Sequence, residues 1–173
     1  MSRATLVVLS GISFAGKSTL ATALGAALPA TVISLDEINA ERGIHGGDGI
    51  PVDEWVTTNG IARERAAAFL AAGITVVIDD TTSRRFLRDE WRSLAESVGA
   101  PSILVWVAVQ ADSQRQRVES NRHKQNRRDV IDSVMVEHLS TFEAPEEDER
   151  ALVVDSALPI EQQVAIVAAS PDA

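Results

Sequence analysis

Gly11-Ile12-Ser13-Phe14-Ala15-Gly16-Lys17-Ser18 sets two glycines around a short loop and follows the second at once with a lysine and a hydroxyl. Glycine lets successive backbone N–H groups turn toward one anion. Lysine adds a positive charge on a flexible stem, and a serine oxygen is a hard ligand suited to Mg²⁺. The chemistry such a run can do is to grip a triphosphate. Gly11, Ser13, Ala15, Gly16, Lys17, Ser18 and Thr19 would surround the phosphates, with Lys17 reaching the β- and γ-groups and Ser18 the metal. The competing explanation is a chance glycine turn before a helix. Ordinary residue frequencies produce the bare pattern in roughly one chain of this length in a hundred or more. A preceding apolar strand and a following helical run, Thr19 to Leu24, make that explanation weaker still.

Two acidic sites could complete a reaction. Asp36 follows the apolar run Thr31-Val32-Ile33-Ser34-Leu35, which puts its carboxylate at the carboxyl edge of a strand, where open α/β sheets bind ligands. There it could take the proton of an attacking hydroxyl; alternatively, it caps the turn Glu37-Ile38-Asn39. Asp79 and Asp80 end the run Val76-Val77-Ile78. Asp79 suits Mg²⁺, directly or through water, and Asp80 could face an acceptor; the bland reading is a turn-forming pair.

Positive charge gathers further on. Arg115, Arg117, Arg122, Lys124, Arg127 and Arg128 are six of the 16 Lys and Arg residues, with His123 among them. An arginine-bearing lid over about 115–130 would explain the concentration, since guanidinium groups can neutralise equatorial phosphate oxygens and exclude water. Arg122, Arg127 and Arg128 are assigned to that lid. Arg115 and Arg117 are expected instead to pair on the surface with Asp112, Glu119 or the acidic cluster at 146–149, as exposed helix charges do.

The elements that must position these groups alternate regularly. Apolar runs at 5–9, 31–35, 74–78, 103–109 and 152–154 read as strands. Helical spacing covers 18–28, 52–72, 84–98, 112–121 and 129–142. Short, continuously apolar strands separated by helices predict a parallel sheet covered on both faces, a doubly wound α/β sandwich. Ser83 is expected to cap the helix at Arg84; Gly73 and Gly99 with Pro101 are expected to stop helices before strands. The glycine-rich stretch 40–52 reads as a mobile loop on the acceptor side, and the end of the chain as frayed.

Composition narrows the classes. The chain has 173 residues, 45% of them hydrophobic, no cysteine and a formal charge of −9. That predicts one soluble domain spanning 1–173, without disulfides, thiol chemistry or Cys-bound zinc. No apolar run is long enough to cross a bilayer and no leader pattern precedes the first strand, so a cytoplasmic location is expected. Strong negative charge disfavours tracking along nucleic acid.

These residues resemble the small P-loop kinases, similar to 5′-hydroxyl polynucleotide kinases, zeta toxins and chloramphenicol phosphotransferase. The likeness spans roughly Leu6 to Asp155. It is carried by Gly11 to Ser18, Ile33 to Asn39, Val77 to Thr82, Arg117 to Arg128 and, more weakly, Phe142 to Glu149. It implies a three-layer α/β/α sandwich with five parallel strands in the order 2-3-1-4-5 and a helical arginine lid. It also implies transfer of the γ-phosphate of ATP, with GTP left open, to an alcohol, with Mg²⁺ bound. Asp36 would be the general base, Lys17 and Arg122 would act on the phosphates, and Ser18 and Asp79 would hold the metal. Polynucleotide kinases of this kind carry an arginine shortly after the catalytic aspartate; here Asn39 stands in that place, and Arg42 is the nearby substitute. The expected acceptor is therefore a small hydroxylated metabolite or antibiotic, nucleoside-like compounds included, met by Asp36, Asn39, Arg42, Trp55 and Asp80. His45, Asp48, Asp53 and Asn59 could add hydrogen bonds, and Trp55 could equally pack into the core. A 5′-hydroxyl polynucleotide kinase and a non-catalytic nucleotide binder are the alternatives, and a monomer or homodimer is expected.

Overall fold

The computed structural model describes residues 4–44, 49–124 and 132–170. Strands β1 (Leu6–Ser10), β2 (Thr31–Ser34), β3 (Val76–Asp79), β4 (Ser102–Ala108) and β5 (Leu152–Asp155) form one sheet. Its order is β2-β3-β1-β4-β5, and every pairing is parallel. That is the expected order. Helices α1 (Lys17–Ala27), α2 (Leu35–Glu41), α3 (Val52–Ala71), α4 (Arg85–Ser97), α5 (Ala111–Lys124), α6 (Asp132–Thr141) and α7 (Ile160–Ala168) surround it.

All five residues of β1 are buried, and alternation along the strands divides them between two cores. Leu6, Val8, Val76 and Ile78 join Leu35 and Ile38 of α2, Ala62, Ala66 and Leu70 of α3, and Trp91 and Ala95 of α4. Val7, Leu9, Val77, Ile103, Val105 and Val107 join Leu20, Ala21 and Leu24 of α1 and Val167 of α7. A parallel sheet needs both coats because neither face can be left to water.

Several boundaries differ from the sequence reading. β3 begins at Val76 rather than Ile74, which is 37% exposed beside the β3 entrance. Helices α2 and α7 are additional; both are short, and α2 follows β2 without a linker. Arg84, not Ser83, precedes α4, and it supplies no side-chain cap. The exposed first turn is instead served from far along the chain: the Arg85 N–H donates to Glu143 Oε2 at 2.8 Å. Gly73 does close α3 in the left-handed conformation, at φ 78°.

Candidate active site

The loop between β1 and α1 is shaped by its neighbours. Gly11 has φ +152°, and a Cβ there would lie 2.7 Å from the Val107 carbonyl oxygen, so this close approach of β1 to β4 admits only glycine. Gly16, at φ 106°, immediately precedes α1. Phe14 also takes a positive φ, 64°, which costs energy for a bulky side chain and is sustained only by surrounding contacts.

Those contacts come from α5. Gln114, buried, donates through Nε2 to the Ser13 carbonyl at 2.8 Å. Arg117 donates to the carbonyls of Phe14 (3.2 Å) and Ala15 (2.6 Å) and, through its other amino nitrogen, to Ser156 (3.0 Å). Three successive loop carbonyls are thereby held by α5, and the Ala15 N–H closes the loop on the Ile12 carbonyl at 3.2 Å. Arg117 is thus a brace of the cradle, not the surface partner expected of it. Arg115 does pair with Asp112. On the other side α6 packs Val134 against Phe14, and the Ser13 hydroxyl lies 3.1 Å from His138 Nδ1.

Lys17 is 8% exposed and spans the cradle, donating from Nζ to the carbonyls of Gly11 (2.8 Å) and Ile12 (2.9 Å). Ser18, in the first turn of α1, has its hydroxyl near enough to Asp79 at the end of β3 to stabilise the ionised carboxylate. Burial pushes the Asp79 carboxyl above its ordinary range, the Ser18 hydroxyl and the Lys17 charge pull it back, and Asp80 and Asp36 raise it again. Asp80 is also raised, chiefly by burial and less by Asp36; the N–H groups of Thr82 and Thr81 and the Lys17 charge oppose the rise. The charges of Lys17 and Asp36 thus both act on Asp79 and Asp80. Ala15 is fully buried in the loop, while Thr19 is exposed on α1.

The Asp80–Thr82 corner is held tightly. Thr82 has φ 37°, strained for a β-branched residue. Its N–H donates to Asp80 Oδ2 (3.0 Å) and its hydroxyl to the Leu9 carbonyl (2.9 Å). Ser10 Oγ and the Gly11 N–H reach the Thr81 carbonyl at 3.4 and 3.2 Å, so the acidic corner and the phosphate loop are bonded directly. Arg88 of α4 donates to the Thr82 carbonyl at 3.1 Å from behind.

Asp36 is exposed in the first turn of α2 and does not cap it; the Ser34 hydroxyl takes that place, accepting from the Glu37 N–H at 3.4 Å. Asn39, one turn later, is 2% exposed and accepts from the Thr58 hydroxyl at 2.5 Å. Its Nδ2 is buried without a hydrogen-bond partner, a state that costs about 1–3 kcal/mol unless a ligand relieves it. Arg42 turns to α3: it bonds the Thr58 hydroxyl at 2.7 Å and the Glu54 carbonyl at 2.9 Å and forms an ion pair with the Glu54 carboxylate. Trp55 is half-buried and packs on the core behind α2 and α3. Asp53 is exposed, and Asn59 Nδ2 donates to the Trp55 carbonyl at 3.0 Å. Arg122, at the end of α5, pairs with Asp132 at the start of α6. His45, Asp48, Arg127 and Arg128 lie outside the described residues.

Among the described residues no three carboxylates or histidines converge as a ready-made metal cage. The Ser18 hydroxyl beside Asp79 is nonetheless an all-oxygen pair suited to Mg²⁺, an ion that takes few protein ligands and completes its shell with phosphate and water.

A parallel sheet in the order 2-3-1-4-5, with a lysine-bearing glycine loop between β1 and α1 and carboxylates at the ends of β2 and β3, defines a P-loop kinase fold. The AAA_33 family model, an AAA domain, matches residues 6–145, and the chain belongs to that family. No curated protein matches it. Among solved structures it is similar to a sugar kinase from Janibacter sp. HTCC2649, with 22% identity over 95% of this chain and 92% of that one and a TM-score of 0.70. A gluconokinase from Sinorhizobium meliloti 1021 gives 22% identity, coverage of 96% and 90%, and a TM-score of 0.69. The Mycobacterium tuberculosis APS kinase, in complex with AMPPNP and APS, gives 15% identity, 97% coverage of both chains and a TM-score of 0.73. No described helix is long and apolar enough to cross a membrane.

Proposed function

We propose that the protein is an ATP-dependent phosphotransferase that moves the γ-phosphate to a hydroxyl of a small metabolite or antibiotic. The observation that carries this reading is the placement of Asp36. It lies in the first turn of α2, directly after β2, and its charge acts on Asp79 and Asp80, which themselves feel Lys17.

In this reading the loop N–H groups, supported from behind by Gln114 and Arg117, bind the β- and γ-phosphates. Lys17 exchanges its carbonyl partners for phosphate oxygens. Ser18 and Asp79 would hold Mg²⁺, which supplies charge neutralisation on the triphosphate when bound. The acceptor hydroxyl gives its proton to the Asp36 carboxylate as its oxygen bonds to the γ-phosphorus. The bond from that phosphorus to the β,γ-bridging oxygen breaks, and ADP leaves. Arg122, at the α5–α6 junction, is the guanidinium suited to the equatorial oxygens, and it must release Asp132 to reach them. The similar structures named for sugar, gluconate and APS support a small acceptor. The −9 charge and the commitment of Arg42 to Glu54 count against a 5′-hydroxyl polynucleotide.

The test is acceptor-dependent ADP release, with γ-labelled ATP and GTP offered against sugars, nucleosides, aminoglycosides, chloramphenicol and 5′-hydroxyl oligonucleotides. Labelled product from a small alcohol, lost in Asp36→Asn, supports the reading. Labelling of the oligonucleotide alone makes the protein a polynucleotide kinase, and tight ATP binding without acceptor-dependent ADP release makes it a non-catalytic binder.

A further inference from the structure

We infer that the acceptor is an uncharged alcohol bearing a second oxygen, and that the side-chain amide of Asn39 donates to that oxygen. The inference rests on the phosphotransferase reading and narrows its substrate class.

The orientation of the Asn39 amide follows from its neighbours. Arg42 carries only donors, so its 2.7 Å bond occupies a lone pair of Thr58 Oγ1. The Thr58 proton is then committed to the 2.5 Å contact with Asn39, which makes the facing atom the amide oxygen. The opposite orientation would place the amide N–H groups against Thr58 and leave its proton without an acceptor. The nitrogen is thereby turned away from Thr58, and it is the single buried side-chain polar atom lacking a hydrogen bond among the described residues. Buried donors are ordinarily paired, and an exception at a functional site marks a place where a ligand atom belongs.

Charge decides which ligand atom. Asn39 lies three residues after Asp36, so the two share one side of α2. An anionic group at Asn39 would sit beside the negative charge of Asp36 and would need a cation. The nearest cation in sequence, Arg42, is neutralised by the Glu54 carboxylate and fixed by two further bonds to α3, to the Glu54 carbonyl and the Thr58 hydroxyl. Asn39 can offer two N–H donors and no charge. A hydroxyl or carbonyl oxygen satisfies it without an unpaired charge in a buried position.

The test compares neutral alcohols with charged counterparts of the same skeleton: glucose with gluconate and glucose 6-phosphate, uridine with uridine 5′-monophosphate. Each is assayed for ADP release from ATP and Mg²⁺. The expected result is turnover of at least one neutral probe, with kcat/KM about tenfold or more above its charged counterpart. Asn39→Leu raises the KM of that probe about tenfold, with the ATP KM within about twofold, and Asn39→Ser, which keeps a donor, recovers part of the loss. Binding of a fluorescent ATP analogue to each variant shows that its fold is intact. A charged counterpart preferred over its neutral form, or no neutral probe raised above the ATP-only rate, overturns the inference. Failure of the phosphotransferase reading looks different: ATP binding would be unaffected by Lys17→Ala, or ADP release would be indifferent to Asp36→Asn.

Discussion

Arg88 and Glu149 form a two-point ion pair at 2.6 and 2.7 Å, with side chains 1% and 0% exposed. Arg88 belongs to α4 and Glu149 to a short 3₁₀ turn ahead of β5, whose N–H of Glu146 also donates to Glu149 at 3.0 Å. Because Arg88 bonds the Thr82 and Glu143 carbonyls as well, the pair locks the segment after α6 onto the back of the acidic corner.

Glu149→Leu strands the Arg88 charge, and a loss of about 3–5 kcal/mol of unfolding free energy is expected in urea titrations. The double replacement Arg88→Met with Glu149→Leu recovers much of that loss, since a volume-matched apolar pair needs no desolvation of charge.

Acid exposes the same pair. Arg88 holds the Glu149 carboxyl below its ordinary 4.5. A depressed folded-state value contributes stability that is fully present above 4.5 and is lost as pH falls through the depressed value. Unfolding midpoints of the wild type should therefore fall steeply below about pH 4.5, and Glu149→Gln, already weakened at neutral pH, should show a shallower slope there.

Asp80 works in the opposite sense. Its folded-state value is raised above 3.8, so ionisation is a burden to the native state that appears as pH rises through the raised value. Asp80→Asn keeps an oxygen for the Thr82 N–H and removes the charge. Its thermal midpoint is expected to exceed that of the wild type near pH 7 and to match it near pH 3, each kcal/mol being worth roughly 2–4 °C for a chain of this size. Turnover should fall in the same variant, an exchange common where charge is stored for chemistry.

The cradle brace has its own signature. Arg117→Met leaves the Phe14, Ala15 and Ser156 carbonyls without their charged donor, and nucleotide affinity should weaken about 10- to 100-fold by calorimetry. Lys17→Ala should impair both nucleotide affinity and single-turnover rate. Asp36→Asn should leave affinity nearly intact and cut turnover by about 10²- to 10⁴-fold.

Elements with a strong local signal were readable from the chain. The buried strands, the glycine loop with its lysine, and the carboxylates at the ends of β2 and β3 each advertise themselves within a few residues. What escaped were roles set by distant partners. Gln114 and Arg117 sit in a polar helix whose pattern does not say which polar side chains turn inward, and the buried Gln114 finds its hydrogen-bond partner in Ser13, a hundred and one positions away. Glu143 capping α4 in place of Ser83, and Thr58 bridging Arg42 to Asn39, are likewise pairings that no local spacing announces.

The two hydrophobic cores have a consequence for how such a molecule can change. α1 and α7 rest on one side of the sheet, α2, α3 and α4 on the other, and the layers meet through the strands between them. In the phosphotransferase reading proposed for this chain, the side built on α2 and α3 recognises the guest, and it can consequently drift, residue by residue, toward a new alcohol while the side built on α1 keeps its packing. Retooling by exchange of α2 and α3 is a smaller step for this architecture than rebuilding its engine.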